Sequence, residues 1–331
     1  MIDNEITSKE GSNMFNRAQR LIRIMAVAGL FTVAAALPVQ RAMAFSLSTA
    51  GQFAVLGQFS NNQTNFNNGT ITGDIGIGSP RQFTASNASV VGNIRFSGAA
   101  DVSGLSGGSG NPSPNGATGP FNVSGGGTVS GNVVANDSVV TSALNYVNNL
   151  SQTLGGEAGT SLTLTSSQTI NASAGNLVNG DRVFSTSSVN LSNATTLTIN
   201  GSAGDFVVIN VTDGNPAFNG SIVLTGGITS DHVLFNMFGG NYTTHTGGPT
   251  LTISTNGAIT TGIFLDPNGG MQINHSVLNG RFFGGDVVNQ QIVSGADINA
   301  PMGEVPDTGA TILLMGLGLA FLAGAKKKFC S

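Results

Sequence analysis

Between Phe45 and Pro301 the chain repeats a rhythm rather than a sequence. Short stretches alternate Val, Ile, Leu or Phe with Thr, Ser and Asn, and Gly, Asn, Asp or Ser separates them. Examples are "TITGDIGIG" (70–78), "SVVGNIRFSG" (89–98), "TTLTINGSAGDFVVINVT" (195–212) and "TLTISTNGAITTGIFLD" (250–266). Period-two alternation places apolar residues on one face of a strand and polar ones on the other. Turn residues return at the short intervals expected of all-β folds.

Two stretches depart from this rhythm. In residues 136–156, Val140, Ala143, Leu144, Val147, Leu150 and Leu154 fall at three- and four-residue steps. That is one apolar face of an α-helix over 137–154, capped by Asn136 or Asp137 and ended by Gly155-Gly156. Residues 103–127 are dominated by Gly, Ser, Pro and Asn, and read as a flexible excursion between strands.

A sandwich and a solenoid both satisfy the strand pattern. The chain has 48 Gly and no Trp, and only 8% of it is charged. Gly and Asn at strand ends, with ladders of Val, Ile, Leu and Phe inside, favour the solenoid. The expected fold is therefore all-β: a parallel β-solenoid (β-helix) with one long α-helix alongside, an N-terminal signal helix and a C-terminal transmembrane helix. The expected divisions are a signal peptide at 1–44, an ectodomain at 45–304 and a sorting signal at 305–331.

Charge distribution adds topology. Four basic residues (Arg81, Arg95, Arg182, Arg281) and twelve acids lie between Phe45 and Glu304, with no Lys. Nucleic acid is excluded as a partner, since phosphate binding needs a basic stripe. The one Cys, Cys330, leaves the body without a disulfide or a thiol nucleophile.

The remaining basic residues lie near the two ends. Arg17, Arg20 and Arg23 precede an apolar run from Ile24 to Leu37, then Pro38 and Ala42-Met43-Ala44. That order is a secretory leader read by the secretion translocon, with cleavage expected after Ala44. An acidic stretch before Met14 makes Met14 a rival start to Met1.

At the other end, Ala310 to Ala325 is an apolar or small-residue run, about 24 Å long as a helix against a hydrocarbon core of about 30 Å. Lys326, Lys327 and Lys328 can snorkel into the headgroups and hold the tail on the cytoplasmic side. Upstream stand Val305, Pro306, Asp307, Thr308 and Gly309.

Motif, apolar helix and basic tail together resemble the PEP-CTERM class, most closely its V-P-D-S-G variant with Thr308 in the serine place. The pentad also resembles the sortase signal L-P-x-T-G. The first resemblance implies an exosortase-type transpeptidase that cuts near the motif and passes the protein to the envelope or matrix. In the body, residues 53–79 resemble the opening of the ice-binding-protein-like family. Residues 181–211 and 278–301 resemble the choice-of-anchor-A family. Both imply a β-solenoid with a packed helix, and neither implies a catalytic residue.

Chemistry is sparse. His232, His245 and His275 form no H-E-x-x-H or H-x-H pattern. Gly104-Leu105-Ser106-Gly107-Gly108 matches a nucleophile elbow but lacks a flanking strand and helix. Asp205 and Asp213 could hold calcium, but turn capping explains them as well. No cofactor, metal or enzymatic activity is expected. One pattern suggests binding: Thr-x-Thr at Thr70/Thr72, Thr163/Thr165, Thr196/Thr198 and Thr250/Thr252. If stacked, these would make a grid of methyls and hydroxyls suited to ice. The leading expectation is a structural or adhesive surface protein touching polysaccharide or neighbouring proteins. Ice binding is the first rival, and a secreted glycan-active enzyme the second.

Overall fold

The computed structural model describes residues 44–59, 61–99, 121–244, 246–285 and 289–301. Strands pair in parallel almost throughout and wind a solenoid with three faces. The first face carries Phe53–Gly57, Asp74–Ile77, Val207–Val211 and Val233–Met237. The second carries Gln63–Asn67, Gln82–Ser86, Phe121–Ser124, Thr250–Ile253, Gly270–Asn274 and Gln290–Val293. The third carries Thr70–Thr72, Ser89–Val91, Thr196–Asn200, Ser221–Thr225 and Asp297–Asn299. Ile259–Asp266 and Val277–Gly284 run from the third face into the first.

The expectation that each coil stacks on the one before it holds within each half and fails between them. Val55 pairs with Phe282, Asn65 with Gln291, and Ile71 with Ile298. The earliest coil therefore lies on the last, forming a seam on all three faces. A chain folded this way leaves one half at its far end and must return along the whole stack to begin the other. Helix α1, Ser138–Gly155, makes most of that return.

Its ends fix its path. Asp137 caps the start, accepting from the Val139 N–H at 2.9 Å and from Arg95 Nε at 2.6 Å. At the far end Asn210 Nδ2 donates to the Leu154 carbonyl at 2.7 Å. Arg95 and Asn210 lie six ladder steps apart, about 29 Å at 4.8 Å per step. Eighteen helical residues span about 27 Å, so the helix matches the stretch between Arg95 and Asn210, six of the nine ladder steps from Val134 to Ser161. The apolar stripe lands as its spacing predicts: Val140, Ala143, Leu144, Val147 and Leu154 are buried against Phe53, Leu56, Val208, Leu234 and Phe283.

The interior is filled by in-register ladders. Phe218 meets Phe235 and Phe264 edge-on, and Phe235 stacks on Phe264 at 4.9 Å. Phenylalanine supplies the aromatic bulk in a chain that has no Trp. The corner after the second face is also in register. Gly125, Asn87, Asn68, Ser294 and His275 each follow a strand of that face, and all have positive φ, between 44° and 62°. A left-handed residue here turns each coil onto the third face. This corner explains much of the Asn and Gly content.

The expected excursion, 103–127, extends too far. Phe121–Ser124 is a strand, because Phe121 and Val123 continue the inner ladder beside Phe83 and Ala85. Strands before and after residues 101–120 share one stack. Among the described residues no helix is long and apolar enough to cross a membrane. All of the expected leader but Ala44, and the apolar run at 310–325, lie outside the described residues.

Candidate functional site

The three faces differ in what they offer. α1 covers much of the first. The third carries exposed Val91, Val223 and Ile259, and one acid, Asp297. The second carries neither: its strands hold no charged residue and none of the exposed large hydrophobics.

Outward positions of the second face form a continuous row. Asn122 pairs with Thr84, Thr84 with Asn65, and Asn65 with Gln291 across the seam. The row continues through Gln272, Thr252, Ala217 and Asn190. Seven of these eight positions are uncharged hydrogen-bonding side chains. Parallel pairing sets them about 4.8 Å apart. Directly inside lies an apolar row of Val123, Ala85, Phe66, Ile292, Ile273, Ile253, Phe218 and Leu191, all buried. The backing row holds the polar row straight, because slipping by one residue would bury Asn and Gln and expose Phe and Ile.

Beside this row, Gln63 Nε2 donates to Gln82 Oε1 at 3.0 Å. An amide has two donors and an acceptor with two lone pairs. Such a row can exchange hydrogen bonds with a surface of hydroxyls and need not neutralise any charge.

The expected threonine grid does not form. Thr70 and Thr72 lie on the third face beside Ser89 and Val91. Thr196 and Thr198 share that face in the other half, beside Ser221 and Val223. Thr250 and Thr252 lie on the second face beside Gly270 and Gln272. Thr163 belongs to Thr160–Leu164, at the end of the stack, and Thr165 follows it. No two of the four pairs are register neighbours. Asn65, Thr84, Asn122, Asn190, Gln272 and Gln291 escaped the sequence reading, which sought one repeated tripeptide. Their signal was positional: Thr84, Asn122, Asn190 and Gln272 are each flanked by inward apolar residues, while Asn65 and Gln291 have an inward apolar residue on one side and buried Thr64 or Gln290 on the other.

The other candidates find structural explanations. Asp205 accepts from the Ser202 backbone N–H and hydroxyl, and these bonds, with Arg182 nearby, hold its carboxyl below the usual value despite some burial. Asp213 accepts from the Val189 and Asn215 N–H groups at 2.7 and 3.0 Å, so it is a turn cap. His232 stacks on Phe206 at 3.9 Å, and His275 is one of the left-handed corners. Among the described residues no group of three His, Cys, Asp or Glu could hold a metal. His245, the G-x-S-x-G match, Ala42, Val305 to Gly309 and Lys326 to Lys328 lie outside the described residues. Ala44, the expected cleavage residue, is described and half-buried.

The arginines hold the fold. Arg281 is buried, pairs with Asp231 at 3.0 Å, and donates to the Phe53 carbonyl at 2.6 Å. Arg95 joins Asp137 and Asp74 and lies over the Phe53 ring. Arg81 donates to the Gln58 and Gln63 carbonyls at 2.9 Å and to Gly285 O across the seam.

A family model described as an ice-binding-like adhesive domain matches residues 41–295. The VPDSG-CTERM motif matches residues 304–329. No curated protein matches the chain. Similar solved structures include an ice-binding protein from an Arctic yeast (17% identity, 81% of this chain and 99% of that one, TM-score 0.48). Another is an ice-binding protein from the Antarctic ascomycete Antarctomyces psychrotrophicus (17% identity, 78% and 98%, TM-score 0.46). A third is an ice-binding protein domain of Shewanella frigidimarina (15% identity, 78% and 98%, TM-score 0.44).

Proposed function

We propose, for a chain that belongs to the ice-binding-like adhesive domain family, that the uncharged second face is its adhesive surface and that uncharged polysaccharide is what it grips. The protein is an exported surface protein of adhesive or structural type, with a sorting motif at its C-terminus. A sorting transpeptidase-type system processes that motif. Its finer course is part of the proposal: an exosortase-type enzyme cuts near Val305 to Gly309 and releases the body from a transient helical anchor at 310–325 to the envelope or matrix.

One observation carries the polysaccharide reading: the row from Asn122 to Asn190, seven uncharged polar side chains in register on an apolar backing. Amide side chains match the mixed donors and acceptors of sugar hydroxyls. A face without charge also keeps its grip in salt, because there is no ion pair to screen. The test is a pull-down of the exported protein on insoluble neutral glycans at low and high salt.

Ice is the second reading, supported by the regular spacing of the same row. It does not rest on the Thr-x-Thr pairs, which do not stack. Thermal hysteresis and recrystallisation assays separate the two.

A further inference from the structure

Asp181 stands where the Asn179-Gly180 turn enters the long strand Asp181–Leu191. It is 2% exposed. The backbone nitrogen of Phe45 donates to both of its oxygens, at 2.9 Å to Oδ1 and 3.2 Å to Oδ2. Among the described residues no Arg or His forms an ion pair with it, and its neighbour Arg182 is directed to Asp205 at 3.9 Å. A buried carboxylate served by one neutral N–H is poorly compensated. Burial accordingly pushes Asp181 up to about 6; the Phe45 N–H pulls it back, and the charge of Glu157 raises it again.

Phe45 is itself well seated. It is 7% exposed, and its ring meets Phe206 edge-on at 5.6 Å, with His232 stacked behind Phe206. The chain then runs along α1. Tyr146 Oη donates to the Ser46 carbonyl at 2.5 Å, Ala50 is fully buried, and the 3-10 turn Ser48–Gln52 leads into Phe53–Gly57 at the seam. Residues 45–52 are thus a strap from the terminal coil to the seam, and Asp181 holds its Phe45 end.

The residue before that end is Ala44, the last of Ala42-Met43-Ala44. We propose that Phe45 is the mature N-terminus and that its α-ammonium, created by leader removal, forms a buried ion pair with Asp181. The step is hydrolysis by a leader peptidase. The Ala44–Phe45 amide C–N bond breaks, the oxygen of water goes to the Ala44 carboxylate, and its two protons go to the Phe45 nitrogen. The nitrogen keeps its seat and gains the charge that Asp181 lacks. The precursor therefore carries an uncompensated buried carboxylate, and the fold reaches full stability only after cleavage. The inference rests on the export reading above.

Its pH behaviour separates the two forms. With an amide at Phe45, the raised Asp181 favours the folded state most below the ordinary 3.8, and that advantage is lost as pH rises through about 6. With an ammonium, Asp181 is held down and the amine is raised above its ordinary value of about 8, so the pair is intact between roughly pH 4 and 8. Glu157, held by Asn179 at 3.0 Å, His232 behind Phe206, Tyr146 on the Ser46 carbonyl and the Arg182–Asp205 pair are the other ionisable groups described around Asp181 and Phe45. They are common to both forms.

The test uses the full chain, exported by a host that removes leaders and purified in detergent, beside a variant with Ser-Gly inserted between Ala44 and Phe45. The insertion keeps the cleavage residues and restores an amide at Phe45. The proposal expects the parent to begin at Phe45 and to melt about 5 °C or more above the variant at pH 7, with the gap closing towards pH 4. Asp181→Asn should abolish the gap. Should that variant not fold, acylation of the parent's terminal amine by an amine-reactive ester decides: it is expected to be at least about tenfold slower than in the insertion variant. A mature chain beginning elsewhere overturns the proposal through the export reading. A chain that begins at Phe45, melts with the variant and acylates as fast overturns the ion pair alone.

Discussion

Thr64 Oγ1 donates a 2.9 Å hydrogen bond to Gln290 Oε1 inside the core, joining the first coil of the chain to the last. Gln290 Nε2 in turn donates to the Leu56 carbonyl at 3.2 Å. Both side chains are fully buried, in columns that hold Phe83 and Phe121 one and two coils away. A polar pair replaces the apolar ladder at the seam, where two halves distant in sequence must find one register.

Thr64→Val should leave the Gln290 carbonyl oxygen unsatisfied and lower stability by about 1–3 kcal/mol. The double variant Thr64→Val, Gln290→Leu should recover much of that loss, since both partners are then apolar. Urea unfolding of both single variants and the double checks this. A double variant that loses the sum of the single losses contradicts it.

The left-handed corner column supplies an independent prediction. Ser294 and His275 occupy it without the latitude of Gly or Asn. Replacing either by Gly should stabilise the protein by about 1 kcal/mol, seen as a higher denaturant midpoint at unchanged slope. A lower midpoint would mean that the side chain does more than turn the corner.

Asp137 ties α1 to the stack through Val139 and Arg95. Burial tends to raise its carboxyl, but the Arg95 bond and the Val139 N–H prevail and hold it below the ordinary 3.8. A lowered acid supports the fold above its unfolded value and loses that support as pH falls through the folded one. Asp137→Ala should cost about 1 kcal/mol at pH 7 through the cap alone. Acid melting curves of variant and parent should converge below pH 3.8.

The division between what could be read beforehand and what could not follows the range of each interaction. Period-two alternation and the stripe from Val140 to Leu154 depend on near neighbours, so strands and helix were legible. The pairing of Val55 with Phe282 depends on residues far apart in the chain, and no local pattern announces it. The polar row of the second face was hidden for the same reason: Asn65 and Gln291 become neighbours only across the seam. The Thr-x-Thr pairs stood out because they repeat, yet repetition in the chain did not become adjacency in the fold.

Sorting makes a prediction outside the body. Pro306→Ala with Asp307→Ala should block release, so that the protein accumulates in the membrane fraction at its uncut mass while the parent reaches the surface or medium. Equal release of both would remove the role assigned to residues 305–309.

Changing the second face alone shows whether it grips neutral polysaccharide. Gln272→Glu with Gln291→Glu places two charges side by side in the row without touching the core. Binding of the exported double variant to insoluble neutral glycan is the measurement, with Thr196→Glu and Thr198→Glu on the third face as the control. Binding by the first variant should be at least about tenfold weaker, binding by the control unchanged, and melting similar for both. Equal binding by the parent and the first variant would contradict that grip.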